Sequence, residues 1–179
     1  MRTVVGAVTV AGMLLLAGCG GGDPIPTLPP TPTATPIFAS EEEALAAAEE
    51  AYAAYQAAVD LALQTLDSSG LSEVATGPAL EAASDSAEEF RQSSRRQVGS
   101  AIVHSVSPVD LSSLLDGDGS EVSQIYACLD LSDVTVVGSD GESSQSATPV
   151  VPMIAGLVWN HDRLLVVEDD VWDGTNFCG

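Results

Sequence analysis

The chain has 179 residues, 45% hydrophobic and 17% charged, enough apolar material for one domain plus appendages. Five basic residues, all arginine (Arg2, Arg91, Arg95, Arg96 and Arg163), stand against 26 Asp and Glu, for a formal net charge of -21. That balance excludes a nucleic-acid-binding surface, which needs clustered cations to displace counterions, and electrostatic adsorption on anionic lipid. Its plain consequence is solubility.

Behind Arg2, Val4 to Leu16 is an uninterrupted run of apolar, Gly and Thr residues. This run is shorter than the roughly 20 residues a membrane-spanning helix needs and suits the apolar centre of an export signal. Leu16-Ala17-Gly18-Cys19 follows directly. It resembles the lipobox of bacterial lipoproteins, in which small residues fit the signal peptidase groove and the Cys thiol accepts a diacylglyceryl group. The resemblance implies that residues 1–18 are an export signal. Cys19 then becomes the lipid-bearing N-terminus and holds the chain on the extracytoplasmic side of the cell membrane. Two acyl chains on one cysteine anchor stably where a single chain is marginal. An ordinary secretory signal followed by a chance Cys is the competing reading.

Residues 19–39 form a tether. Six of the ten prolines fall between Gly20 and Pro36, interleaved with Thr. Proline lacks a backbone donor and fixes its own φ, so the segment is expected to be extended, at roughly 3 Å per residue where it is polyproline-like. A Pro-rich ligand for a partner domain is the rival reading, and the threonines are open to O-glycosylation.

Residues 40–179 are the expected folded domain. Ser40 before Glu41, Glu42 and Glu43 is a helix start, with Glu43 placed to close a capping box. Leu45, Tyr52, Tyr55, Val59, Leu63 and Leu66 then follow one helical face to about Asp67, where Ser68-Ser69-Gly70 is the stop. Leu71 to Ala75 reads as a short helical turn. Gly77-Pro78 opens a second helix to about Ser93, with Pro early, where its missing donor costs nothing. From Arg95 onward the period changes. Gln97 to Val109 alternates as a strand, with Ile102, His104 and Val106 on one face, expected to turn inward. Glu121 to Leu131 is a second strand, with Ile125, Ala127, Leu129 and Leu131 together and Asp130 toward solvent; Val134 to Val137 extends it past a bend. Val150–Trp159 and Leu164–Val171 form a hairpin across Asn160-His161-Asp162-Arg163. Helices followed by strands suggest an α+β domain, N-terminal helices packed on a mostly antiparallel sheet of about four strands.

This order of elements resembles the NTF2-like, or SnoaL-like, cone, a curved sheet wrapped around helices. Glu73-Val74-Ala75-Thr76-Gly77, Arg96-Gln97-Val98-Gly99-Ser100, Ala127-Cys128-Leu129-Asp130 and Asn176-Phe177-Cys178 resemble strings of actinobacterial NTF2-like lipoproteins. The resemblance implies a pocket inside the cone. Where such domains are enzymes it also implies a carboxylate or His as general base, often helped by Tyr. No catalytic motif carries over residue by residue.

With Cys19 assigned to lipid, Cys128 and Cys178 are an even pair in an oxidising compartment, and a bridge would pin the C-terminus onto the sheet. Two free buried thiols are the alternative. His104 is the weak catalytic candidate, as a general base; a core hydrogen-bonding role is the plainer reading. Tyr52, Tyr55 and Trp159 are candidates for lining a pocket, and the two tyrosines equally for core. With two His and no Cys-x-x-Cys, no metal site is expected, and no cofactor. Asp116-x-Asp118-x-Ser120 begins like a calcium loop but has Glu121 and Ala127 where Gly and Glu are required. Glu168-Asp169-Asp170 reads as a solvated strand edge that discourages aggregation. Arg91, Arg95 and Arg96 are expected to pair with Glu88 and Glu89; a docking patch for an acidic partner is the sharper alternative. No Gly-x-Ser-x-Gly nucleophile elbow occurs. The leading expectation is a non-catalytic module that binds an envelope protein partner or a small apolar ligand, with no nucleic acid. The alternatives are a SnoaL-like isomerase or hydrolase and a structural or chaperone-like envelope component.

Overall fold

A computed structural model describes residues 36–179. The expected export signal, Cys19 and most of the tether lie outside the described residues. No helix among the described residues is long and apolar enough to cross a membrane.

The first helix, α1, spans Glu41–Thr65. Ser40 caps it by accepting from the Glu43 amide at 3.2 Å, and the Glu43 carboxylate reaches back to the Ala39 amide at 3.1 Å. The first bond satisfies an amide that the helix start leaves without a partner, the second ties the residue before the cap to the first turn, and three acids in that turn complement the dipole. Leu66 stops the helix in the left-handed region, at φ 61°. The buried face is narrower in side-chain size than the period suggests: Ala44, Ala48 and Ala62 lie beside Tyr52 and Tyr55. Small residues let the helix axis seat close to the sheet. After a 3-10 turn at Leu71–Glu73, α2 spans Gly77–Gln92 and buries Ala79, Ala83 and Ala87.

The strands are β1 (Arg96–Val98), β2 (Ile102–Asp110), β3 (Ser123–Asp130), β4 (Thr135–Val137), β5 (Ser143–Gln145), β6 (Val150–Asn160) and β7 (Arg163–Val171), with a short helix α3 (Ser112–Leu115) before β3. They form two antiparallel sheets, a four-stranded one in the order β2-β3-β6-β7 and a three-stranded one in the order β1-β4-β5. The α+β layering and the four-stranded sheet match the expectation. The second sheet corrects it in two places. Gln97 to Val109 is not one strand but β1 and β2 in different sheets, and Val134 to Val137 does not prolong β3. Gly99 makes the break: its φ is 81°, and a Cβ there would collide with the Asp133 carbonyl. The chain therefore turns at Gly99, away from the β1–β4 pair.

Tyr52, Leu71, Leu114, Ile125, Leu157 and Val166 are the largest fully buried side chains, and they fill the space between α1 and the four-stranded sheet. Burying side chains of this size stabilises by about 1.5–3 kcal/mol each. On the opposite face of that sheet, Cys128 is bonded to Cys178, Cα to Cα 5.6 Å. The last residues are thereby held against β3, where Tyr126 packs on Trp172 and Phe177 with ring centroids 5.0 and 4.8 Å away.

Candidate functional site

Two of the three β-bulges in the four-stranded sheet decide which titratable groups lie inside and which lie outside. In β7, Val166 pairs with Leu157 and Glu168 with Gly156, so Val167 is an extra residue. The bulge breaks the two-residue alternation of faces. Val166 points inward; beyond the bulge the next inward residue is Asp169, opposite buried Ala155. Asp169 is therefore not part of a solvated edge, and only Glu168 and Asp170 remain exposed.

The inward Asp169 meets α1. Tyr52 donates its hydroxyl to Asp169 Oδ1 at 2.9 Å, and the Gln56 amide nitrogen donates to Tyr52 Oη at 2.9 Å and to Asp169 Oδ2 at 3.3 Å. Tyr55 packs beside Tyr52, ring centroids 6.2 Å apart. Burial pushes the Asp169 carboxyl up to about 6, although the donated bonds from Tyr52 and Gln56 favour its charged form. Burial, reinforced by the Asp169 charge, raises both tyrosine hydroxyls well above their usual range. Tyr52 and Tyr55 thus belong to the core with a polar tip each. A second buried carboxylate, Asp60, accepts from the Gln97 amide and from the Ala101 backbone N–H and ties α1 to the break between the two sheets.

In β2 the first of two bulges is at His104, between Val103 paired with Leu129 and Ser105 paired with Cys128; the second is at Val109. The bulge at His104 has the reverse effect. Val103 and Val106 pair with buried Leu129 and Ala127, while Ile102 and His104 point outward. The expected inward placement of His104 is corrected: its side chain is 56% exposed, with Nε2 3.0 Å from Asp130 Oδ2. Asp130 lies on the outer face as expected and also accepts from the Ser132 amide and hydroxyl. Those bonds and His104 hold its carboxyl below the usual carboxylate range.

Trp159 is the pocket candidate that does line a cleft. Gly119, at φ 73°, leaves room for the Trp159 side chain that a Cβ would occupy, and the Trp159 amide donates to the Gly119 carbonyl at 3.0 Å. Phe38 meets the indole edge-on with centroids 5.6 Å apart, and is held by its amide on the Leu114 carbonyl at 3.3 Å. With Ala47, Ala51, Val74 and Leu164 they bound an open cleft of about 410 Å³, and Arg163, paired with Glu73 at 3.1 Å, closes one rim. The sequence pattern pointed to Trp159 but not to Phe38, which falls in the expected tether.

Two of the three arginines of the basic cluster pair locally as expected, Arg91 with Glu88 and Arg95 with Glu89 at 2.7 Å while stacked on Phe90; Arg96 makes no ion pair with the described residues. No group of three or more metal-ligating side chains occurs among the described residues.

No family model and no curated protein matches the chain. Among solved structures, the intermembrane space region of the chloroplast protein ARC6 is similar to it, with a TM-score of 0.53 at 16% identity over 71% of this chain and 95% of that one. At that identity the likeness is one of fold, an α+β arrangement with helices on antiparallel sheet.

Proposed function

We propose that the protein is a lipid-anchored extracytoplasmic lipoprotein whose NTF2-like head is a non-catalytic binding module for a small apolar ligand. Leu16-Ala17-Gly18-Cys19 behind a short apolar run is the observation that carries the anchoring. The Cys128–Cys178 bond suits an oxidising compartment and so supports export. The Trp159–Phe38 cleft supports the binding reading: its volume lies in the range of small-molecule sites and its walls are largely apolar. A protein partner at the same cleft is the second occupant to test. The enzymatic alternative needs a general base open to substrate. Asp169 has the raised affinity for a proton that such a base requires, but Tyr52 and Gln56 occupy both its oxygens, and it borders none of the clefts flanking α1.

The anchoring is tested by growing cells with an alkyne-tagged fatty acid. Label is expected on the intact protein and not on Cys19→Ala; label retained by that variant would overturn the lipoprotein reading. The binding is tested with Trp172→Phe, which leaves Trp159 as the lone indole, and the neutral probe N-phenyl-1-naphthylamine. Saturable energy transfer from Trp159 is expected, and its loss on Ala54→Phe, since Ala54 is an exposed residue of α1 that lines the same cleft. No transfer, or transfer indifferent to Ala54→Phe, would reject the cleft as the site.

A further inference from the structure

A second cleft lies on the other side of α1, between that helix and the start of β2, with a volume of about 490 Å³. Ala53, Ala57, Leu61, Ile102 and Val103 wall it, and Gln56, Asp60 and Gln64 project into it from one helical face at four-residue spacing. Leu61 and Ile102 are 57% and 49% exposed, whereas Gln56 and Asp60 on the floor are only 5% and 7% exposed.

The bonding of the floor is one-sided. The Gln56 amide nitrogen must face Asp169, because a carboxylate only accepts hydrogen bonds. Its carbonyl oxygen is therefore turned away from Asp169, and it has no donor among the described residues. It is not sealed off either, since Ser123 Oγ alone is both sealed from solvent and partnerless among the described side chains. Asp60 accepts from the Gln97 amide at one oxygen and from the Ala101 N–H at the other, with the Ser100 hydroxyl as a third donor beside it, which still leaves part of its acceptor capacity unused. The Gln64 amide nitrogen is committed to the Gly99 carbonyl at 2.8 Å. With the Ser100 hydroxyl turned to Asp60, the floor offers the Gln56 carbonyl oxygen and the Asp60 carboxylate as acceptors, its one charged lining residue is an acid, and no cation lines the cleft.

We infer that this cleft is a binding site for a small organic ammonium with a short apolar body, the ammonium donating to the Gln56 carbonyl oxygen and Asp60 and the body lying on Ala57, Leu61 and Ile102. The inference stands apart from the Trp159 cleft, which shares no lining residue with it. An ammonium supplies three donors and a charge, an alcohol of the same length one donor and no charge, and a carboxylate only acceptors.

The test is nitrogen-15 chemical-shift titration of the full chain in detergent micelles with n-pentylammonium, n-pentanol and n-pentanoate. The expected result is saturable shifts at the Ala57 and Ala101 amides and the Gln56 side-chain amide with pentylammonium, binding about tenfold weaker with pentanol, and none with pentanoate. Ala57 is exposed, so Ala57→Phe is expected to keep the fold and to abolish the pentylammonium shifts by covering the floor. Absent or non-saturating shifts, equal binding of pentanol or pentanoate, or shifts that survive Ala57→Phe would each overturn the assignment.

Discussion

The two edge strands of the four-stranded sheet carry the same irregularity and opposite chemistry. Each has a bulge beside a titratable side chain, at His104 in β2 and at Val167 in β7, and β2 carries a further extra residue at Val109. In β2 the bulge at His104 turns a titratable side chain out, where water and Asp130 solvate it. In β7 it turns one in, beneath α1. The surroundings then differ because the edges are covered differently. Along β7 the Val166 amide donates to the Val74 carbonyl and the Thr76 amide to the Val166 carbonyl, so the segment entering α2 closes that edge. Along β2 the side chains remain largely exposed. One bulge therefore yields a surface pair worth little, and the other a desolvated carboxylate that depends on its partners.

The sharpest way to break this comparison is to remove a partner on the β7 side. Tyr52→Ala is expected to cost about 3–5 kcal/mol of unfolding free energy, because it empties core volume and strips Asp169 of a donor. Chemical denaturation measures this, and a loss under about 1 kcal/mol would mean that the buried cluster is not a unit.

The Cys128–Cys178 bond tests whether the outer face behaves independently. Cys178→Ser is expected to cost up to about 4 kcal/mol in the chain-entropy model for a closed loop of this length. Near-ultraviolet circular dichroism should lose the Tyr126–Trp172 signal while the Tyr52 environment persists. Collapse of both would show that the faces are coupled.

Asp169 sets a pH dependence whose sign is opposite to that of an ion-paired acid. Its folded pKa of about 6 lies above the ordinary value of 3.8, so the folded chain binds the proton more tightly than the unfolded chain. Below about pH 4 both states are protonated and no penalty exists. As pH rises from about 4 to 6 the unfolded chain ionises first and stability falls, by up to about 3 kcal/mol, then levels off. The facing groups Tyr52 and Tyr55 stay neutral in that window, and Asp170 adds a small repulsion. Asp169→Asn lacks this term, so denaturation midpoints of variant and wild type should diverge in favour of the variant from pH 4 to 7. A constant difference across that window would place Asp169 in water.

The smallest effect belongs to the β2 edge. His104→Ala is expected to change stability by less than about 1 kcal/mol, as for an exposed ion pair. A larger loss by the same denaturation measurement would make the two edges alike.

Sequence pattern alone determined the elements whose signals are local. The Ser40 cap, the Gly77-Pro78 start and the hairpin at 160–163 need only neighbouring residues, whereas the pairing of Cys128 with Cys178 is one of two readings of the sequence and rests on setting Cys19 aside for lipid. The helix-then-strand order was enough for an α+β layout, and alternation placed Ile125, Ala127 and Leu129 inside correctly. Tertiary structure decided everything that turned on register. Alternation transmits a face assignment along a strand only while each residue has one partner, and a single extra residue inverts it. His104 and Asp169 were both misplaced for that reason, since nothing in Ile102–Val106 or Leu164–Val171 announces where the neighbouring strand leaves a residue unpaired. The split at Gly99 into two sheets is of the same kind, because the contact that forces it is with Asp133, more than thirty residues away. The buried acid, its tyrosine and the two clefts flanking α1 therefore exist only once the strands have chosen their partners.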